Sequence, residues 1–399
     1  MKLKMSALKG KQWYHQRFDG SPLYLFLIGE AEVKKEKRKP RGTEANIRVS
    51  FFTENGKSDW YLDMGDVRRG SEVILRLAKH DPNVSEKLLR AWRQDEKKFQ
   101  EFVNGLDAFE LKKFTGAQVL KLYTTYYRLA VNRFTSSAII DHFALGTDEQ
   151  IAEMIRQEIG KTGKESEFMK VFSIATAPVH QSFINEAEKE LLKIAIEHPL
   201  FISPSKRGRK RLVSPPFEGG VRGGLEQTLQ QYQQNYFWIK NNYFDAHILS
   251  VAHFKREIVL WRKSGADLQA KYRQLRDTPR LNAQKKVALF KRYKFSSLLR
   301  VLLKISEDFT WWQDERKKAT FLNIHMGTRI LGEMARRRRV NAELTKYLVP
   351  AEVAQWFLKG ELAMPELNAR QHGCVVVCTR KRYYIGTGKE IERIRKIMF

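Results

Sequence analysis

Apolar residues follow two different spacings along this chain, and the switch between them divides it. From residue 47 to 62 the period is two. Ile47, Val49 and Phe51 alternate with Arg48 and Ser50, Asn55-Gly56 follows, and Trp60, Tyr61 and Leu62 form a second run. Such alternation predicts half-buried strands. Asn-Gly between two such runs predicts a hairpin, because both residues tolerate positive φ. Pro22 to Ile28 is another compact apolar segment, so residues 1–70 read as a β-rich module with 34–41 as a loop between strands.

From about residue 70 the period lengthens to that of a helix. Val73, Leu77, Leu88 and Trp92, then Phe99, Phe102 and Val103, sit at helical spacings. Thr115 is placed to cap a helix carrying Val119, Leu122, Tyr123 and Tyr126, and Asp148 to open another with Ile151, Met154, Ile155 and Ile159. Residues 182–197 predict an amphipathic helix with Ile184, Ala187, Leu191 and Ala195 on one stripe and Ser182 as its cap. Helical spacing resumes at Leu225 and continues through 254–261, 282–308 and 309–339. Pro350 starts a short helix that Gly360 ends. Cys374 to Cys378, a basic turn and Tyr383 to Ile385 then predict a small hairpin. The expected class is α+β, predominantly α-helical, with a β-hairpin module near the N-terminus and a small β-hairpin near the C-terminus. The expected parts are 1–70, a helical domain over 71–345, and 346–399.

One segment breaks the helical pattern. In 203–224, eight of 22 residues are Gly or Pro and no apolar period survives, which predicts a disordered basic insertion. Its run from Ser214 to Gly224 resembles peptides encoded by dispersed repeats in bacterial genomes, which implies a late insertion without an ancestral role.

Charge sharpens this picture. The 399 residues hold 73 Lys+Arg against 45 Asp+Glu, a net charge of +28. Segments 34–41 and 203–224 each contribute +5, so +18 is dispersed over the rest. A dispersed excess suits a solvated surface and also lets polyanions bind through counterion release. The candidate contacts are segment 34–41, Lys206, Arg207, Arg209, Lys210 and Arg211 in the insertion, and Arg336, Arg337, Arg338 and Arg339 at a helix end. At that end bases also complement the helix dipole, so the arginines have a structural reading too. With 42% hydrophobic residues, the chain has material for a core and is not a disordered polyelectrolyte. No apolar stretch approaches the ~20 residues of a membrane helix, and Met1 to Phe18 holds no apolar signal segment. Two cysteines cannot form a disulfide scaffold. These features lead us to expect a cytoplasmic protein without membrane association.

Catalytic motifs are tested one by one. Gly386-Thr-Gly388-Lys389 resembles the end of a phosphate loop, but Tyr383 stands where the first glycine belongs and Glu390 replaces the Ser or Thr. Cys374 and Cys378 share a strand face with only His372 nearby, which favours buried structural thiols over a metal site. His247 and His253, six apart, do not share a helix face. Asp141-His142 is adjacent in sequence, which does not make a catalytic pair. Trp311-Trp312 reads as core more readily than as a stacking platform for bases. No catalytic or metal-binding residue is assigned, and no cofactor is expected for this chain alone.

Residues 229–243, Leu-Gln-Gln-Tyr-Gln-Gln-Asn-Tyr-Phe-Trp-Ile-Lys-Asn-Asn-Tyr, carry a resemblance. They are similar to a helical segment of phosphoenolpyruvate synthase-like and pyruvate phosphate dikinase-like proteins, with Tyr232 where that pattern often has His. The stretch 182–195, Tyr347 to Val353, the Arg370 region and the terminal hairpin resemble the same branch, so the likeness spans about 90–395. In that family, the helical region precedes a swivelling domain that carries phosphate on a histidine. None of the nine histidines here directly follows Ser or Thr, and none follows a Gly pair. The family's nucleotide-grasp domain is not visible either. The resemblance therefore implies a truncated or stand-alone helical scaffold, not catalytic alone, partnered by a separately encoded phosphohistidine domain. In a split enzyme it would belong to a phosphotransferase of the phosphoenolpyruvate synthase type. The alternatives are a basic protein that binds nucleic acid or another polyanion weakly, and an inactive relic.

Overall fold

The structure, a computed structural model, describes residues 5–37, 39–107, 110–198, 201–204, 210–213, 221–360 and 364–399. The chain opens with β1 (Trp13–Asp19), α1 (Pro22–Val33), β2 (Ile47–Thr53) and β3 (Lys57–Asp63). The helices α2 (Met64–His80), α3 (Val84–Asp107), α4 (Gly116–Ser137), α5 (Ile139–Gly160), α6 (Phe168–Thr176) and α7 (Phe183–Glu197) follow. Then come β4 (Phe201–Pro204), β5 (Lys210–Val213), α8 (Val221–Tyr236), α9 (Val251–Lys263), α10 (Leu268–Arg292) and α11 (Ser297–Arg338). The chain continues with α12 (Pro350–Lys359), α13 (Met364–Gln371), β6 (Gly373–Thr379), β7 (Tyr383–Thr387) and α14 (Lys389–Met398). The class is α+β and predominantly helical, as the periodicity predicts.

The chain folds as two units: Met1–Phe172 with Asn241–Ala246 and Phe295–Phe399, and Ser173–Lys240 with His247–Lys294. The first unit holds an antiparallel sheet in the order β1-β3-β2-β6-β7. Val49 of β2 faces Tyr61 of β3 on one side and Val377 of β6 on the other. One face of the sheet packs Leu8, Ile47, Val49, Phe51, Tyr61, Val375 and Val377 against Ile394 and Met398 of α14. On the other face α1 lies against β2 and β6. The 42-residue α11, about 63 Å long, packs against α2, α3, α4 and α5 in the same unit. In the second unit, Leu191, Ile194 and Ala195 of α7 pack with Leu229 and Tyr232 of α8 and Phe254 and Ile258 of α9.

Local signals fix many element ends. Thr115 and Gln118 form a reciprocal capping box on α4, Ser182 caps α7, and Gly360 ends α12 at φ 68°.

Other expectations are corrected. The N-terminal strands and the C-terminal hairpin are not separate modules: Ile47 to Thr53 pairs with Gly373 to Thr379 in one sheet. The apolar segment from Pro22 is the helix α1, because Ser21 caps it and Pro22 occupies its first turn. A short apolar run buried all round carries no period that separates helix from strand. Strand β2 is buried on both faces rather than one. Asp148 lies within α5, which starts at Ile139. The helix boundary expected near 308 falls at Tyr293 to Ser296, where the Ser296 hydroxyl caps α11. In the basic insertion, 203–204 and 210–213 belong to a two-stranded ribbon and α8 begins at Val221. The remainder of the insertion lies outside the described residues.

Candidate anion-binding groove

The turn between β6 and β7 is built by Thr379: its amide donates to the Arg382 carbonyl at 2.9 Å, and its hydroxyl donates to the same oxygen at 2.7 Å. This closure projects Arg380 and Lys381 from the sheet end. The segment ahead of β1 passes the same end, because Leu8 inserts fully into the core while Gly10 turns the chain at φ 69°. Between the two lies a groove of about 580 Å³, lined by Lys9, Lys11, Arg380, Lys381 and Arg382 together with Ser6, Asn46 and Thr379. Among the described residues, no carboxylate lines it.

The groove's floor is anchored from beneath. Asn46 is held by Asp66, which accepts its backbone amide and its side-chain amide, each at 2.6 Å. Asp66 also accepts Arg69 at 2.8 Å. Arg380 reaches the carbonyls of Glu44 and Ala45 at 3.3 and 3.4 Å, and Lys11 pairs with Asp63. Lys9, Lys381 and Arg382 make no side-chain ion pair among the described residues, and Lys9 and Lys381 are exposed.

A buried ionic cluster lies behind Asp66. Arg48, 1% exposed, pairs with Glu32 of α1, lies 3.7 Å from Asp66, and meets His142 Nε2 at 3.3 Å. Burial, reinforced by Arg48, lowers the His142 pKa to about 3, so the ring is neutral. Because Arg48 can only donate, Nε2 accepts and the ring proton sits on Nδ1, which has no hydrogen-bond partner. Burial pushes Glu32 up despite Arg48. Lys39, from the basic 34–41 segment, donates to the carbonyls of Ala31 and Glu32 at 2.6 and 2.8 Å and so closes the C-terminus of α1. Burial lowers its pKa to about 8. Lys39 is thus a structural cation, not a solvated one.

The sequence-derived candidates fare differently. Lys206, Arg207 and Arg209 lie outside the described residues, and Lys210 and Arg211 belong to β5. Arg336 and Arg337 both bind Glu333, and Arg337 also donates to the carbonyls of Leu111 and Phe114 at 3.1 and 2.6 Å. Arg338 lies against Gly360, and Arg339 ends α11 in the left-handed region at φ 56°. The helix-end arginines are therefore partly consumed by structure, and the exposed Arg338 and Arg339 remain.

The tested motifs fall into place around this. Asp141 grips Arg316 through two 2.8 Å bonds while His142 turns to Arg48, so the adjacent pair diverges. Trp312 is fully buried beside Trp92, and Trp311 carries Arg93 over its ring. Cys374 and Cys378 are buried free thiols, pushed up by burial, Cys374 to about 12. Among the described residues no group of three or more His, Cys, Asp or Glu is placed to hold a metal ion.

Sequence reasoning noted a basic turn after Cys378 but missed Lys9 and Lys11 as its companions. Their only signal is the pairing of β2 with β6, which no local pattern reveals. No protein-family model matches the chain, and no curated protein matches it.

Proposed function

We propose that this chain is a helical scaffold resembling the linker region of phosphoenolpyruvate-utilising phosphotransferases. In this reading it acts with a phosphohistidine-bearing domain outside these 399 residues and has no complete catalytic cycle alone. One observation carries the reading: the stretches with the resemblance are spent on packing rather than displayed. Tyr232 is buried with its hydroxyl donating to the Ala187 carbonyl at 3.0 Å, and Trp238 lies against Phe183. Tyr347, Leu348, Val349 and Val353 are buried, and Arg370 clasps Glu352 at 2.7 and 2.9 Å while donating to the Tyr347 carbonyl. The two free cysteines suit a reducing compartment, and we assign the cytoplasm. Among the described residues no helix is long and apolar enough to cross a membrane.

The test supplies ATP, magnesium and pyruvate to the purified chain, alone and with a phosphoenolpyruvate synthase phosphohistidine domain. The expected result is no acid-labile phosphohistidine on this chain and measurable association with the added domain. Phosphorylation of a histidine in this chain, or no association at all, overturns the reading.

A second reading, weak binding of a polyanion, is favoured by the carboxylate-free lining of the groove.

A further inference from the structure

We propose that the groove formed by Lys9, Lys11 and the Arg380 to Arg382 turn binds the phosphate backbone of a nucleic acid, and that it reads charge rather than bases. The proposal deepens the polyanion reading and is independent of the scaffold reading.

Three observations converge on it. First, five cations line one groove without a carboxylate among its described lining residues, and three of the five make no side-chain ion pair among the described residues. A phosphodiester carries one negative charge, so a row of cations, three of them unpaired, fits a chain of phosphates.

Second, the array extends beyond the groove. Burial pushes Glu44 up, but backbone amides, then Arg380 and Lys35, hold it below the usual carboxylate range. One carboxylate thus feels both the β6–β7 turn and the 34–41 loop. Lys35, Lys37 and Arg41 of that loop are exposed.

Third, two of the polar side chains that could read a base are already engaged. Asn46 gives its side-chain amide to Asp66, and Thr379 gives its hydroxyl to the turn. No aromatic ring is among the described lining residues, so base stacking of the kind that anchors many single-strand binders has no platform there. The charge of the lining is a row of ammonium and guanidinium groups, and their contacts to phosphate carry no sequence information.

The experiment follows the anisotropy of a fluorescein-labelled 20-nucleotide RNA on the full chain between 50 and 200 mM KCl. The three cations without a carboxylate partner among the described residues, neutralising three phosphates of the strand, predict a log–log salt slope near −2, or roughly a twentyfold loss of affinity over that range. Lys9→Gln/Lys381→Gln removes two exposed, unpaired cations. It should reduce the slope by about 1.4 and weaken binding about tenfold at 100 mM KCl, with the thermal midpoint unchanged. The charge-matched Arg338→Gln/Arg339→Gln should bind like the parent. Equal loss in both variants would mean diffuse charge and overturn the groove while sparing the polyanion reading. Displacement of the RNA by micromolar AMP would reassign the groove to a small phosphorylated ligand and overturn the proposal. Absence of binding to both RNA and heparin at 50 mM KCl would overturn the proposal and the polyanion reading together.

Discussion

Gly70 of α2 lies directly against His142 of α5: a Cβ added to Gly70 would stand 2.2 Å from His142 Nδ1. A second contact of the same kind joins these helices, since a Cβ on Gly146 would stand 2.5 Å from Ser71 Oγ. Two glycines thus let α2 and α5 approach until a side chain of one meets the backbone of the other. Gly70→Ala should destabilise the first unit by about 1–3 kcal/mol through overpacking, although alanine favours helix over glycine. Urea unfolding checks this. A more stable variant would mean that the helices can part without cost.

Neutral His142 makes the fold acid-sensitive in a defined window. Its folded pKa, about 3, lies below the ordinary histidine value. The unfolded chain therefore binds a proton that the folded chain refuses, and stability falls as pH drops from about 6.5 toward 3. The groups facing the ring include Arg48, Asp141, Lys39 and Arg69. Between pH 7 and 5 the parent should lose about 2 kcal/mol more than His142→Asn, read from urea midpoints at the two pH values. Parallel loss in both proteins would assign the acid sensitivity elsewhere.

The Arg48–Glu32 pair is nearly fully buried on both sides. Arg48→Met strands Glu32 and should cost about 3–5 kcal/mol, whereas Arg48→Met/Glu32→Leu should recover much of that. The remaining deficit measures what Asp66 and His142 lose with the guanidinium. A double variant no better than the single one would show that Asp66, not Glu32, is the main partner.

Trp238 is 5% exposed and packs on Phe183 in the second unit. Trp238→Ala should cost about 3–5 kcal/mol, measured by thermal unfolding. A variant as stable as the parent that had lost association with the phosphohistidine domain would make Trp238 a recognition residue instead.

The sequence made the helices legible wherever a cap and a stripe coincide: Thr115 with Val119 and Tyr123, or Ser182 with Ala187 and Leu191. The Asn55-Gly56 hairpin and the terminal strands were equally plain. Three things stayed hidden, for one reason. Arg48 reads as an outward-facing residue until α1 is known to lie on that side of β2. Lys39 reads as one base in a charged run until it is seen to end α1. Lys9 and Lys381 are neighbours only because β2 and β6 pair. Each depends on contacts distant in sequence, and periodicity reports only local burial.

The strand order also sets a timetable for synthesis. β2 pairs on one side with β3, a few residues away, and on the other with β6, roughly 330 residues later. At translation rates of about 5–20 residues per second, the β6-facing edge of β2 waits roughly 20–60 s for its partner. For that interval the nascent chain presents an open strand edge beside Ile47, Val49 and Phe51, whose covering helix α14 emerges later still. Such an edge is a template for the wrong strand. Ribosome-associated chaperones would find their exposed substrate at the beginning of this chain, not at its end.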